Sequence, residues 1–374
     1  MRRRVLFVGR TRHRLPLSES QQRKWDALGA RFDLRVIGTA ASRSEHGDGT
    51  FHLHRPISPR PFDAPAFYGT LPMRIARELR AFRPDAVVAQ SPYEAVAALV
   101  ARRLAAVPTA VIAEVHGDWR TFGRLYGSPA RRLLGPVADR LAPAALRRSD
   151  AVRTLSPFTE GLVREAGVEP TLAFTTWSDL GAFTARPTQP LPERPVALVV
   201  GVLERYKNVD GIVAAWRLAA PRVPEAMLRL VGEGTRRGLV EVLAGELAAQ
   251  TEWIPRLTQE EVAAALDDSW CLLLPSRSEG TPRIAMEALC RGRAVLGGRA
   301  GGTPDVVRHE ENGLLVDPED VPGIADALVR ILSDRALAER LGGQAASDAA
   351  AWLYTPEEYA DRYAELVERA IAHA

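Results

Sequence analysis

Short apolar runs alternate with amphipathic stretches along the chain. In the first half, residues 5–8, 34–37, 86–89, 109–113 and 151–154 are apolar runs of strand length, and residues 20–29, 71–82, 94–105 and 157–166 repeat apolar positions at helical spacing. Strands alternating with helices predict a parallel sheet covered on both faces. Residues 184–195 hold four prolines, which fix φ and remove donors, and predict a linker. The alternation then restarts, with strands over 196–200, 227–231, 252–254, 270–274, 294–296 and 314–316. Helices are predicted over 209–219, 235–249, 282–291, 321–332, 335–342 and 356–373, and another starts near Thr258, where Thr258 and Glu261 make a capping box. The expected organisation is an N-terminal α/β domain (1–183), the linker (184–195), a second α/β domain (196–355) and a terminal helix (356–374). Two such domains form a cleft, and ligands of open α/β sheets bind beyond the carboxyl ends of the strands, so the residues after each strand matter most.

Composition narrows the class. With 374 residues, 46% apolar and 25% charged, the chain reads as folded and globular. No apolar run approaches the roughly 20 residues that cross a bilayer. The charged start (Arg2, Arg3, Arg4) followed by 5–8 resembles a leader, but Arg10, Arg12 and Arg14 follow at once, which favours a first buried strand. Cys271 and Cys290 sit in apolar patterns without a partner at metal-ligand spacing and read as core residues in a reducing compartment. Charge is uneven: residues 1–185 carry 28 basic and 17 acidic side chains, the remainder 21 and 29. A basic half fits an anionic partner, such as a phospholipid surface or a phosphate-bearing acceptor. Arg74, Arg77, Arg80 and Arg83 line one side of a helix at a spacing of three, which also fits a solvated face. No interleaved aromatics or nucleic-acid module accompany the basic residues, which disfavours nucleic acid. Only Lys24 and Lys207 are lysines among 49 basic residues, which singles out Lys207 as a compact ammonium.

Three strand ends in the second half carry chemistry. After 196–200 comes Gly201 and a loop with Arg205 and Lys207 just before a helix, where cations suit a diphosphate. After 270–274 comes a turn with Glu279, Gly280, Thr281 and Pro282 and then a helix. Proline suits the first helical position, Thr281 can cap, and free amides over 280–283 face an anion with the helix dipole behind them. Glu287 follows in the second turn, and a carboxylate accepts well from a vicinal diol. After 294–296 the run 297–304 holds four glycines, which allow close backbone approach to a ligand.

The pair Glu279 and Glu287 eight positions apart, Gly280, Ala288, the run 301–307 (Gly-Gly-Thr-Pro-Asp-Val-Val) and the run 312–316 (Asn-Gly-Leu-Leu-Val) together resemble retaining glycosyltransferases of family 4. The loop 201–207 resembles that family's glycine–lysine loop, and the region 352–359 its C-terminal crossover to the first domain. The resemblance implies a GT-B fold, two Rossmann-like doubly wound parallel-sheet domains facing a central cleft, and an NDP-sugar donor. By this resemblance Lys207 neutralises the leaving diphosphate; Arg205, two residues before it, is the expected second cation in place of the arginine the family often has at position 202. Glu279 holds donor-sugar hydroxyls near Gly280, Thr281, Pro282 and Ile284, and Glu287 binds ribose. Pro255, Arg256 and Leu257 border the base, and His116 stands near the donor sugar. The chain departs from the pattern at Val202, where the family often has arginine, and at 10–16, where it often has a glycine-rich turn. An asparagine–glycine element before the linker is replaced by 176–179 (Thr-Trp-Ser-Asp).

No Asp-x-Asp occurs, so a metal-bridged diphosphate is disfavoured and no cofactor or metal is expected. The expected reaction is transfer from a UDP- or GDP-sugar to an acceptor hydroxyl, such as a lipid-linked or cell-envelope glycan. The expected place is the cytoplasm, with peripheral association to anionic membrane through the basic half. A GT-B sugar-nucleotide epimerase or a non-catalytic nucleotide-sugar-binding protein would share the architecture. A dinucleotide oxidoreductase is disfavoured, because Gly232, Gly234 and Gly238 lack the fingerprint's spacing.

Overall fold

The structure, a computed structural model, describes residues 2–42, 47–59, 62–120 and 139–374. The chain divides into two compact units, one of Met1–Trp177 with Tyr354–Ala374 and one of Ser178–Leu353.

The first unit contains β1 (Arg3–His13), β2 (Phe32–Ala40), β3 (Phe51–His54), β4 (Ala86–Ala89), β5 (Ala110–Val115), β6 (Ala151–Thr154) and β7 (Leu172–Ala173). They form one sheet in the order β3-β2-β1-β4-β5-β6-β7, with every pair parallel. The apolar strand runs are buried on both faces, as a parallel sheet requires. The terminal helix Pro356–His373 belongs to this unit. It starts on a capping box of Thr355 and Glu358 and lays Tyr359, Tyr363, Leu366 and Val367 into the core that holds Trp25, Leu28, Val5 and Ile112. At roughly 2 kcal/mol for each large side chain buried, this face stabilises the unit well beyond its rim ion pairs.

Several elements differ from the pattern reading. β1 runs past its apolar core to His13, with a register shift between Val8 and Arg12 and renewed pairing of Arg12 with Thr39. The alternating charges of 10–14 hid this extension, and it explains why no glycine turn follows the first strand. His13 is buried against Trp25 and Phe51, and burial first, then Lys24, lowers its pKa to about 4. The helix Asp63–Phe82 begins upstream of the expected start and carries Pro72 inside it. Of the arginine stripe on this helix, Arg74 donates to the His52 carbonyl (2.9 Å) and Arg80 to that of Leu104 (2.6 Å), so two members are tied to backbone. β3 and β7 are edge strands too short for periodicity to reveal.

The second unit contains β8 (Val196–Val200), β9 (Met227–Val231), β10 (Thr251–Ile254), β11 (Cys271–Leu274), β12 (Ala294–Gly298) and β13 (Gly313–Val316), all parallel in the order β10-β9-β8-β11-β12-β13. The strand order reverses between β8 and β11, which places a crevice beyond their carboxyl ends. Both cysteines are buried and unpaired.

The proline-rich segment is held to this unit rather than free. Arg291, paired with Asp267, donates to the carbonyls of Arg186 (2.7 Å) and Pro187 (2.9 Å), and Arg293 donates to that of Gln189 (2.9 Å). Leu180 and Phe183 are core residues of the same unit. The division therefore falls between Trp177 and Ser178. The helix Arg335–Asp348 continues through Gly342, whose missing Cβ would lie 2.4 Å from the Gly292 carbonyl oxygen. That glycine permits close packing and does not stop the helix.

Candidate functional site

The two strands at the reversal point supply the two principal groups. After β8 the chain makes one 3-10 turn, Arg205–Lys207, and Asn208 then caps the helix Val209–Ala219 in a left-handed conformation (φ 59°). Asn208 is buried and donates to the carbonyls of Pro275 (3.1 Å) and Pro318 (2.6 Å), which ties the loop to the segment after β11. Arg277 completes the tie. Its amide donates to the Tyr206 carbonyl (2.8 Å) and its guanidinium to the Arg205 carbonyl (2.9 Å), while Asp210 grips it with both oxygens at 2.9 Å and Glu319 at 2.6 Å. Lys207 is thus set by a rigid frame.

Its ammonium donates to Glu279 Oε1 at 2.7 Å, with the two side chains 16% and 11% exposed. Tyr206 lies under the ammonium, and burial first, then Glu279, pushes its hydroxyl up to about 12. Glu279 sits in the turn before the helix Arg283–Cys290. Here the structure corrects one detail: Pro282 is the N-cap, the helix begins at Arg283, and Thr281 makes no cap. Among the described residues the buried Thr281 hydroxyl has no partner, and the amides of Gly280, Thr281 and Arg283 donate to no backbone carbonyl. Unsatisfied donors at a helix N-terminus attract an anion.

The glycine run after β12 serves this turn. Gly302 N donates to the Glu279 carbonyl (3.0 Å), and a Cβ on Gly302 would meet the Gly280 oxygen at 1.6 Å. The close approach foreseen for a ligand is taken here by the protein's own backbone.

Glu287 lies in the second turn of the same helix and is 7% exposed. Burial raises its pKa, opposed by Arg283, whose Nε donates to Oε1 at 2.6 Å while Nη2 holds the Asp179 carbonyl at 3.0 Å. Ile284 is buried beside it.

Lys207, Glu279, Gly201, Gly280, Thr281, Pro282, Ile284 and Glu287 therefore gather at the ends of β8 and β11. Arg205 is exposed in the lysine loop, and among the described residues its carbonyl rather than its guanidinium is engaged. Pro255, Arg256 and Leu257 follow β10 at the same end of the sheet, with β9 between them and β8. His116 belongs to the first unit, just after β5, and its Nε2 lies 2.9 Å from Glu114 Oε2.

Sequence reasoning missed Arg277, Asp210 and Arg283, which hold the named groups in place. It also missed the partnership of Glu114 with Arg153, although a signal was present: each is a charge inside an apolar strand run, and the two are aligned across β5 and β6.

Comparison with known proteins decides the family. The glycosyl transferase 4-like domain matches residues 18–174, and the glycosyl transferases group 1 domain matches residues 183–348. The chain belongs to the group 1 glycosyltransferases of family 4. This family member is 31% identical to the D-inositol 3-phosphate glycosyltransferase of Nocardioides sp., over 50% of the chain and 46% of that protein. It is 26% identical to the sulfoquinovosyl transferase SQD2 of Arabidopsis thaliana, over 78% and 59%. The match thus spans less than two-thirds of either relative's length. The sucrose-phosphate synthase of Thermosynechococcus elongatus superposes with a TM-score of 0.79 at 20% identity over 100% of both chains. HepE of Anabaena, solved in complex with UDP-glucose, superposes with a TM-score of 0.67 at 14% identity over 97% of this chain and 99% of that one. The fold is GT-B.

Proposed function

We propose that this glycosyltransferase moves a sugar from a UDP- or GDP-sugar to an acceptor hydroxyl, with retention of anomeric configuration and without a metal ion. The observation that carries the reading is the Lys207–Glu279 pair, delivered from two strand ends beside amides that donate to no backbone carbonyl among the described residues. A diphosphate seated there meets the Lys207 ammonium and the N-terminus of the helix Arg283–Cys290, fixed charges aimed at the leaving group. Glu279 accepts from donor-sugar hydroxyls and Glu287 from the ribose. The anomeric bond opens through an oxocarbenium-like state while Lys207 holds the departing diphosphate. Neither carboxylate is assigned a covalent intermediate, because each is committed to a neighbouring cation.

The acceptor is assigned to the basic first unit, which fits a phosphate-bearing or lipid-linked hydroxyl compound. Among the described residues no helix is long and apolar enough to cross a membrane. Peripheral attachment is tested by sedimentation with anionic vesicles at low salt, where absence of binding removes it.

The deciding experiment is thermal stability against UDP, GDP, ADP and dTDP and their sugar conjugates in chelator, repeated on Glu287→Ala. A rise with one nucleotide that the variant loses is the expected result. Lys207→Ala then lowers turnover by about a hundredfold, the effect of removing about 3 kcal/mol of leaving-group stabilisation. Wild-type turnover in that variant, or no shift with any nucleotide, refutes the assignment.

A further inference from the structure

The first unit buries an ion pair between two neighbouring strands. Glu114 on β5 and Arg153 on β6 are 1% and 0% exposed, with the guanidinium against the rings of Phe174, Tyr359 and Tyr363. A buried ion pair rarely stabilises a fold more than apolar residues of the same size would. What this one does follows from its hydrogen bonds.

Glu114 Oε1 accepts from Arg153 Nη1 (2.6 Å) and from the Tyr363 hydroxyl on the terminal helix. Arg153 also donates to the Tyr363 oxygen (2.7 Å) and to the Phe174 carbonyl (3.0 Å), with its guanidinium 3.9 Å from the Phe174 ring centre. Glu114 Oε2 faces His116 Nε2 at 2.9 Å. Burial pushes the Glu114 carboxyl up, but the charge of Arg153, then His116 and Tyr363, override it and leave the group well below the usual carboxylate range. An ionised carboxylate only accepts hydrogen bonds. His116 Nε2 must therefore carry a hydrogen whether the ring is charged or neutral. The neutral ring is the Nε2–H tautomer, and the lone pair lies on Nδ1. His116 is exposed, and among the described residues Nδ1 has no hydrogen-bond partner.

We infer that Glu114 is a positioning residue that, anchored by Arg153 and Tyr363, holds His116 with Nε2 protonated and so presents Nδ1 as an acceptor for a substrate hydroxyl. The consequence for turnover rests on the transferase reading above; the tautomer does not. Glu114→Gln makes the sharpest perturbation. Its amide oxygen must face the two donors, Arg153 and Tyr363, which turns its NH2 towards His116. Nε2 is then forced to accept, and the proton moves to Nδ1. A preset tautomer governs whether an imidazole can take a proton or a hydrogen bond in the required direction.

The test combines nitrogen NMR of the 15N-histidine-labelled full chain at pH 8, with His116 assigned from its loss in His116→Gln, and transfer kinetics. The expected wild-type ring is Nε2–H; in Glu114→Gln it becomes Nδ1–H, and kcat falls at least tenfold while KM for the nucleotide sugar stays within twofold. An Nδ1–H ring in the wild type overturns the inference without any variant, which protects the test if Glu114→Gln folds poorly. Tyr363→Phe keeps the carboxylate and should keep the Nε2–H ring; a changed tautomer there also overturns it. A flipped ring in Glu114→Gln with unchanged kcat overturns the positioning role. If the wild type binds no nucleotide and transfers no sugar, the transferase reading fails by itself, and the wild-type spectrum still decides the tautomer.

Discussion

Glu279→Gln should tighten the bare nucleotide and weaken the sugar nucleotide at the same time. The Lys207 ammonium is paired with Glu279 at 2.7 Å, and neither side chain is more than 16% exposed. A diphosphate arriving at Lys207 meets the carboxylate as a like charge. At an effective dielectric of about 20 and a separation of about 6 Å, two unit charges repel by about 3 kcal/mol. Screening and side-chain movement leave about 1 kcal/mol, or about a fivefold gain in affinity for UDP or GDP when the charge is removed. The sugar conjugate behaves oppositely, because a charged acceptor to its hydroxyls is lost. A hydrogen bond to a charged group contributes about 1.5–3 kcal/mol, so kcat/KM should fall by about 10–100-fold. Calorimetric titration with the nucleotide and initial rates with its sugar conjugate give the two numbers. If the variant weakens the bare nucleotide as much as it weakens the conjugate, Glu279 does not oppose a diphosphate at Lys207 and the diphosphate does not bind there.

Three other perturbations probe the frame. Gly302→Ala places a Cβ 1.6 Å from the Gly280 oxygen, so the Glu279 turn must shift; nucleotide-induced stabilisation should vanish with little change in far-ultraviolet circular dichroism, and retained stabilisation contradicts the buttress. Burial raises the Glu287 pKa above its ordinary 4.5, so the ionised form costs stability at neutral pH and that cost is relieved as pH falls through the raised value. Nucleotide affinity runs the other way, falling with acidification earlier than an ordinary glutamate would allow; an identical pH profile in Glu287→Gln rules this out. Glu114→Ala strands the wholly buried Arg153 guanidinium, which costs about 3–5 kcal/mol and about 10 °C in the unit's melting temperature; a drop of a degree or less by calorimetry would mean that the pair carries no such burden.

The two-sheet architecture was legible because buried parallel strands write continuous apolar runs such as Val-Ala-Leu-Val-Val at 196–200 and Cys-Leu-Leu-Leu at 271–274. The strand ends pointed to Lys207, Glu279 and Glu287 for the same reason: in such sheets chemistry follows each strand's carboxyl end. What periodicity could not show was whatever breaks the alternation without ending the element. β1 continues through Arg10 and Arg12 because β2 still offers a parallel edge. The helix Arg335–Asp348 continues through Gly342 because a neighbouring carbonyl needs the space. The role of Arg291 and Arg293 in holding the proline segment is a long-range contact that local sequence does not encode.

Lys207, Glu287 and His116 are each paired with an opposite charge or an acceptor. Glu279 holds Lys207, Arg283 holds Glu287 and Glu114 holds His116. Such pairing fixes geometry that loose side chains would lose, and it opposes adventitious ions, because a weak anion cannot displace a carboxylate already bonded at 2.7 Å. A ligand that engages Lys207, the amides before Arg283 and Glu287 together gains several contacts for the one pair it disturbs. A nucleoside diphosphate has both the charge and the diol to do so, whereas inorganic phosphate has only the charge. The arrangement therefore favours the intact nucleotide over its fragments, and inorganic phosphate should compete with it only weakly.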